Sequence, residues 1–116
     1  MASVAGSWTL TTDWGCDGSI TGSFDQTFNA NGTWTSTPFV HSGRWFQVED
    51  LVIWTFDDIP NLVYAGNVNG SWIEGAQGYT TAGGITGCFG GHRAGVPVAL
   101  EEARAARKAE DPMLGR

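Results

Sequence analysis

Hydrophobic and polar residues alternate with a period of two along most of this chain. Between Ser7 and Trp14, the residues Trp8, Leu10, Thr12 and Trp14 share one parity, while Ser7, Thr9, Thr11 and Asp13 share the other. Successive side chains of a strand point to opposite faces, so this pattern predicts a half-buried strand. The same reasoning predicts strands over 19–28, 33–36, 44–48, 51–56, 62–68, 71–75 and 85–91. On the second, Ile20, Gly22, Phe24, Gln26 and Phe28 share a face; on the sixth, Leu62, Tyr64, Gly66 and Val68 do. Between the runs lie Gly15-Cys16-Asp17-Gly18, Asn29-Ala30-Asn31-Gly32, Glu49-Asp50, Asp57-Asp58-Ile59-Pro60-Asn61 and Asn69-Gly70. Gly, Asn and Asp tolerate the backbone angles of tight turns, and Asn-Gly is a hairpin signal.

The connections are short, so neighbours in sequence should be neighbours in space. The expected fold is all-β: an eight-stranded antiparallel up-and-down β-barrel, closed so that no strand edge is left open. A two-sheet sandwich is the alternative. It needs a long crossover, which only the segments near 37–42 and 76–84 could supply. The end of the chain differs in kind. Residues 99–109 are dense in Ala, Glu, Arg and Lys, which favour helix. Glu101 and Glu102 stand near the start of this segment and Arg107 and Lys108 near its end, complementing a helix dipole. The chain therefore divides into a barrel over 1–94 and a short C-terminal helix or tail over 95–116. Beyond Leu100 the apolar residues of the helix are mostly alanine, so it would lean weakly on the barrel or on a partner.

Four of the six tryptophans lie in Gly-x-Trp: Gly6-Ser7-Trp8, Gly32-Thr33-Trp34, Gly43-Arg44-Trp45 and Gly70-Ser71-Trp72. Each opens a predicted strand, and each reads as a glycine followed by a ring that packs inward. Strand four carries aromatics on both parities, Trp45 with Phe46, while Trp54 and Phe56 of strand five stand two residues apart. One ring of the strand-four pair must point out of the barrel. Trp45 is the candidate on strand four, facing the C-terminal helix or a second subunit, and exposed rings of this kind make a homodimer or higher homo-oligomer a candidate state.

At 116 residues the chain fits one domain. Up to Val98 the only basic residues are Arg44 and Arg93, against eight acids, and this acidic protein body disfavours nucleic acid and anionic membrane surfaces. No apolar run has the length of a membrane span, and the first residues lack the basic and hydrophobic regions of a signal peptide. The expected location is cytoplasmic, or secreted if a leader has been removed. Cys16 and Cys88 form no CxxC pair, and His41 and His92 have no ligand spacing, so neither metal nor cofactor is expected. The Asp13–Gly18 segment lacks the oxygen ligands of a calcium loop.

A Gly-x-Trp at the start of the first strand of a small antiparallel barrel, here Gly6 and Trp8, resembles the calycin superfamily of lipocalins, fatty-acid-binding proteins and avidins. The resemblance implies that Trp8 closes one end of the barrel and that a basic residue of the last strand, here Arg93, lies across it. It covers about 90 residues in pattern but only two or three in specific motif. It also implies that first and last strands adjoin, which brings Cys16 and Cys88 near enough to be disulfide candidates if the loop carrying Cys16 folds back; two free thiols are the alternative.

The barrel interior is the strongest candidate site. Inward parity gives a ligand-binding set of Phe24, Gln26, Phe28, Trp34, Trp54, Tyr64, Trp72 and Glu74. Gly22, Gly66 and Gly87 on inward positions would leave space beside the rings. Such a pocket suits a small hydrophobic or aromatic ligand. Three functions follow: non-enzymatic binding of that ligand; a barrel cyclase or isomerase in which Glu74 or Tyr64 moves a proton; or a structural, oligomerising module whose rings fill the core. No Ser-His-Asp pattern or phosphate loop is present, so no catalytic residue is assigned.

Overall fold

Eight strands close into one antiparallel barrel in the computed structural model, which describes residues 3–81, 83–94 and 113–114. They are β1 (Gly6–Trp14), β2 (Gly22–Phe28), β3 (Thr33–Thr37), β4 (Ser42–Val48), β5 (Leu51–Phe56), β6 (Leu62–Asn69), β7 (Trp72–Tyr79) and β8 (Thr86–Arg93). Each strand pairs with its neighbour in sequence, and β1 with β8 completes the ring. The meander is as expected, and the sandwich is ruled out by the closed ladder. The helix expected over 99–109 lies outside the described residues.

The register sets which residues meet inside. Gly6 pairs with Phe28, Phe28 with Trp34, Trp34 with Gly43 and Gly43 with Phe56. The same register carried through β6, β7 and β8 re-enters β1 at residue 16 rather than 6, a stagger of ten residues. A stagger of this kind tilts the strands to the barrel axis, so residues from different depths of their strands share one level. Trp54 of β5 accordingly meets Phe28 of β2, Tyr64 of β6 and Phe89 of β8, with ring centroids 5.1, 5.2 and 5.2 Å away. Trp34 and Phe56 meet edge to face at 4.8 Å. These rings, with Trp8, Leu10, Phe24, Val52, Leu62 and Ile73, form one buried cluster.

Hairpin geometry corrects two sequence expectations. Across the β6–β7 turn Val68 pairs with Ile73 and Asn69 with Trp72. Directly opposed residues lie on the same face. Val68 is buried, so Ile73, Gly75 and Gln77 point inward and Trp72 and Glu74 point outward. Trp72 is 45% exposed. Gly70 supports this two-residue turn with φ of +63°. Across the Glu49-Asp50 turn Trp45 pairs with Trp54, which places both on the inner face. Trp45 packs edge to face on Phe28, and its indole Nε1 donates to the carbonyls of Asn29 and Thr33. Phe46 is the ring that points out.

The space expected beside Gly66 and Gly87 is also taken. A Cβ at Gly66 would stand 2.8 Å from the Phe89 ring, and one at Gly87 would stand 2.7 Å from the amide of Gln77. Gly43 permits a still closer approach, because a Cβ there would run into the carbonyl of Thr55 and stand 2.7 Å from the indole nitrogen of Trp34. Small and large inward residues thus alternate so that rings lie over glycines.

Candidate functional site

The end of the barrel where β1 begins is sealed by the chain just ahead of it. Val4 is fully buried; its amide donates to Oε1 of Gln47, and its carbonyl accepts from Nε1 of Trp8 at 2.8 Å. Trp8 pairs with Arg93, whose guanidinium lies 4.5 Å above the indole. Arg93 also donates to the carbonyls of Ala5 and Ser3. A cation over a ring face and hydrogen bonds to two carbonyls lock this end.

The opposite end is built differently. The β1–β2 loop is tied to β8 by a disulfide between Cys16 and Cys88, which are 72 residues apart in sequence with Cα atoms 5.3 Å apart. Cys16 reaches β8 because the loop folds back, with φ of +50° at Cys16 and an Asp13 side chain accepting from the amides of Asp17 and Gly18. Asp13, Cys16 and Cys88 lie close together, but both sulfurs are bonded to each other and so are not available as thiolates for a metal.

Between the two ends the interior holds polar groups among the rings. Gln26 and Gln77 are buried and face inward. Among the described residues, neither amide atom of Gln26 or of Gln77 has a hydrogen-bond partner, and neither does the buried indole nitrogen of Trp54. Leaving such a group unmet costs about 1–3 kcal/mol. The Tyr64 hydroxyl, by contrast, donates to the backbone carbonyl of Met113 at 2.7 Å, and Tyr79 donates to that of Leu114 at 2.9 Å. Met113 is fully buried within the same hydrophobic cluster as Trp54 and Tyr64. Two residues from the far C-terminus therefore reach the interior through the end opposite Trp8.

Comparison with protein-family models, with curated proteins and with solved structures returns no match. What the site can do rests on its own residues.

The residues predicted to line the site divide into two groups. Phe24, Gln26, Phe28, Trp34, Trp54 and Tyr64 are all buried on the inner face. Trp72 and Glu74 lie on the outer wall, so of the two residues considered for moving a proton inside the barrel, Tyr64 faces the interior and Glu74 does not. Sequence reasoning missed Gln77, Ser36, Phe56, Phe89 and Met113. The first four follow from parity once the strand registers are known. Met113 carries no periodic signal, since it stands alone near the end of a segment of different composition.

The outer wall has two features. A shallow groove of about 210 Å3 runs along β1 and β8 beside Ile20, Trp72 and Gly90. The Trp72 ring stacks on His92 and lies 3.6 Å from where a Cβ of Gly90 would be. On the β4–β5 hairpin, Phe46 (55% exposed), Val48 (64%) and Leu51 (41%) form an apolar patch.

Proposed function

We propose that this protein is a calycin-like barrel that binds a small, mainly hydrophobic ligand between its sealed end and its Met113 end. One observation carries the reading: among the described residues, Gln26, Gln77 and Trp54 present unmet hydrogen-bonding groups to a largely apolar, aromatic interior. A ligand pocket is characteristically apolar with a few convergent polar groups that fix orientation. Gln26 and Gln77 each offer both a donor and an acceptor, and Trp54 offers a donor. An apolar ligand carrying one or two oxygen or nitrogen atoms would meet them, and a hydrocarbon would not. Trp8 and Arg93 serve the closure of the barrel and not the ligand.

The ring packing favours a second reading, a structural module with a filled core. Trp54 touches aromatic neighbours on three sides, and Phe89 and Gln77 cover the inward glycines. Titration of the intrinsic tryptophan fluorescence with fatty acids, retinoids, tetrapyrroles and flavins separates the two. Saturable quenching or an emission shift by one class, lost in a Gln26→Leu, Gln77→Leu double variant of unchanged near-ultraviolet dichroism, supports ligand binding. Flat titrations with every class support the filled module. The Phe46, Val48 and Leu51 patch suits a second copy of the chain as its cover; light scattering that returns a monomer at micromolar concentration would count against that assembly.

A further inference from the structure

We propose that Met113 and Leu114 are an internal occupant of the ligand site, and that the ligand they stand in for is an apolar chain ending in a carbonyl-type oxygen. The proposal rests on the binding function argued above. Tyr64 donates its hydroxyl to the Met113 carbonyl at 2.7 Å, and Tyr79 donates to the Leu114 carbonyl at 2.9 Å. Both acceptors are backbone carbonyl oxygens. The geometry therefore identifies what the two hydroxyls recognise: an uncharged oxygen acceptor, of the kind carried by a ketone, ester or amide.

The apolar half of the recognition comes from the surroundings of Tyr64. Its ring stacks on Trp54 at 5.2 Å and packs against Phe89 and Phe56 at 5.4 and 5.8 Å. The Met113 side chain is fully buried in that cluster. An unbranched thioether is the most adaptable apolar side chain and resembles a short alkyl chain in cross-section. The Met113 residue thus presents an alkyl-like group and a carbonyl oxygen together.

The interior around the segment also holds polar groups of a kind that ordinary core packing pairs. Among the described residues, and with the segment in place, both amide atoms of Gln26, both of Gln77 and the Trp54 indole nitrogen have no partner. The segment's carbonyls meet the two tyrosine hydroxyls, and residues 3–5 at the other end meet Trp8, Gln47 and Arg93. A ligand that supplies its own carbonyl to Tyr64 and extends a second polar atom to Gln26 or Gln77 makes bonds that the tail does not. Because the tail belongs to the same chain, it competes at fixed effective concentration, and the apparent affinity for ligand falls by the fraction of molecules in which the site is open.

The test uses the full chain, a variant lacking residues 113–116, and a full-length Met113→Ser variant. Each is titrated with nonan-2-one by intrinsic tryptophan fluorescence, with nonane as the control without an acceptor. Removal of 113–116 is expected to tighten nonan-2-one binding by about tenfold or more. Met113→Ser should move it in the same direction, which covers the case in which the shortened chain folds poorly. A synthetic peptide of residues 111–116 added in trans should weaken binding to the shortened chain competitively. Tyr64→Phe in the shortened chain should lower affinity for nonan-2-one and bring it toward that for nonane. Equal affinity of full and shortened chains, with no effect of the peptide, overturns the plug and leaves ligand binding standing. Absence of binding to every form, with native near-ultraviolet dichroism, overturns the plug together with the binding function on which it rests.

Discussion

At the end where β1 begins, the barrel is closed by residues 3–5, adjacent in sequence to the strand they seal, and by a Trp8–Arg93 pair on neighbouring strands. At the other end the closure comes from Met113 and Leu114, about twenty residues beyond Arg93, held to two tyrosine hydroxyls. The first closure is local and multiply bonded, and the Trp8 indole and the Arg93 guanidinium both find partners. The second is remote in sequence, and among the described residues the amides of Gln26 and Gln77 and the Trp54 indole nitrogen have no partner. The contrast is between a closure continuous in sequence with the strand it seals and one brought back from a distant part of the chain.

The largest expected effect breaks the sealed end. Trp8→Ala removes a fully buried indole together with its bond to Val4 and its cation partner, and should cost about 3–5 kcal/mol in chemical denaturation. Removal of residues 113–116 should cost only about 1–2 kcal/mol, because the contacts of Met113 are partly offset by the ordering entropy that is released. Equal losses at the two ends would break the comparison outright.

Next in size is the Cys16–Cys88 bond, which closes a long loop of chain and ties the β1–β2 loop to β8. A Cys16→Ser, Cys88→Ser double variant should lose about 2–5 kcal/mol in non-reducing buffer. The wild type in strong reductant should fall toward the same value. If the double variant is as stable as the wild type, the second end is held by something other than this bond.

Two-residue turns explain how much of this was legible in the sequence. The eight strands, their order and the closed meander follow from alternation and short turns, and the cysteine pairing became concrete once β1 and β8 were taken as neighbours. The faces of β4 and β7 were misread, although the sequence contains the means to assign them. A two-residue turn, with either Asn69-Gly70 or Gly70-Ser71 at its tip, puts Ile73 and not Trp72 on the side of Val68. The Glu49-Asp50 turn likewise puts Trp45 on the side of Trp54. Ring size alone points Trp72 inward and Trp45 outward, and the structure follows the turn arithmetic instead. The role of Met113 was not legible, because no pattern in a single residue tells that a chain end returns to a core built by residues far earlier.

A smaller effect sharpens the contrast between satisfied and unmet polar groups inside the barrel. Trp45→Phe removes an indole donor shared between the carbonyls of Asn29 and Thr33 and should destabilise by about 1–2 kcal/mol. Gln77→Leu removes amide atoms that have no partner among the described residues and should be neutral or stabilising by up to about 1 kcal/mol, while weakening the binding of any ligand that uses the amide. A clear destabilisation by Gln77→Leu would mean that the amide is satisfied in solution.

The smallest expected change tests the faces of the strands directly. Trp72 and Trp54 are both strand tryptophans and would be equivalent if ring size alone decided orientation. Trp54→Ala should cost about 3–5 kcal/mol. Trp72 lies on the outer wall against His92 and Gly90, half exposed, so Trp72→Ala should change stability by no more than about 0.5 kcal/mol. Its fluorescence should nonetheless change markedly. Trp72 is the one Gly-x-Trp ring in contact with bulk water over much of its surface, so its loss should shift the emission maximum to the blue and remove most of the acrylamide-accessible signal. A red shift, or a loss of stability comparable to that of Trp54→Ala, would return Trp72 to the interior and with it the register of the β6–β7 hairpin.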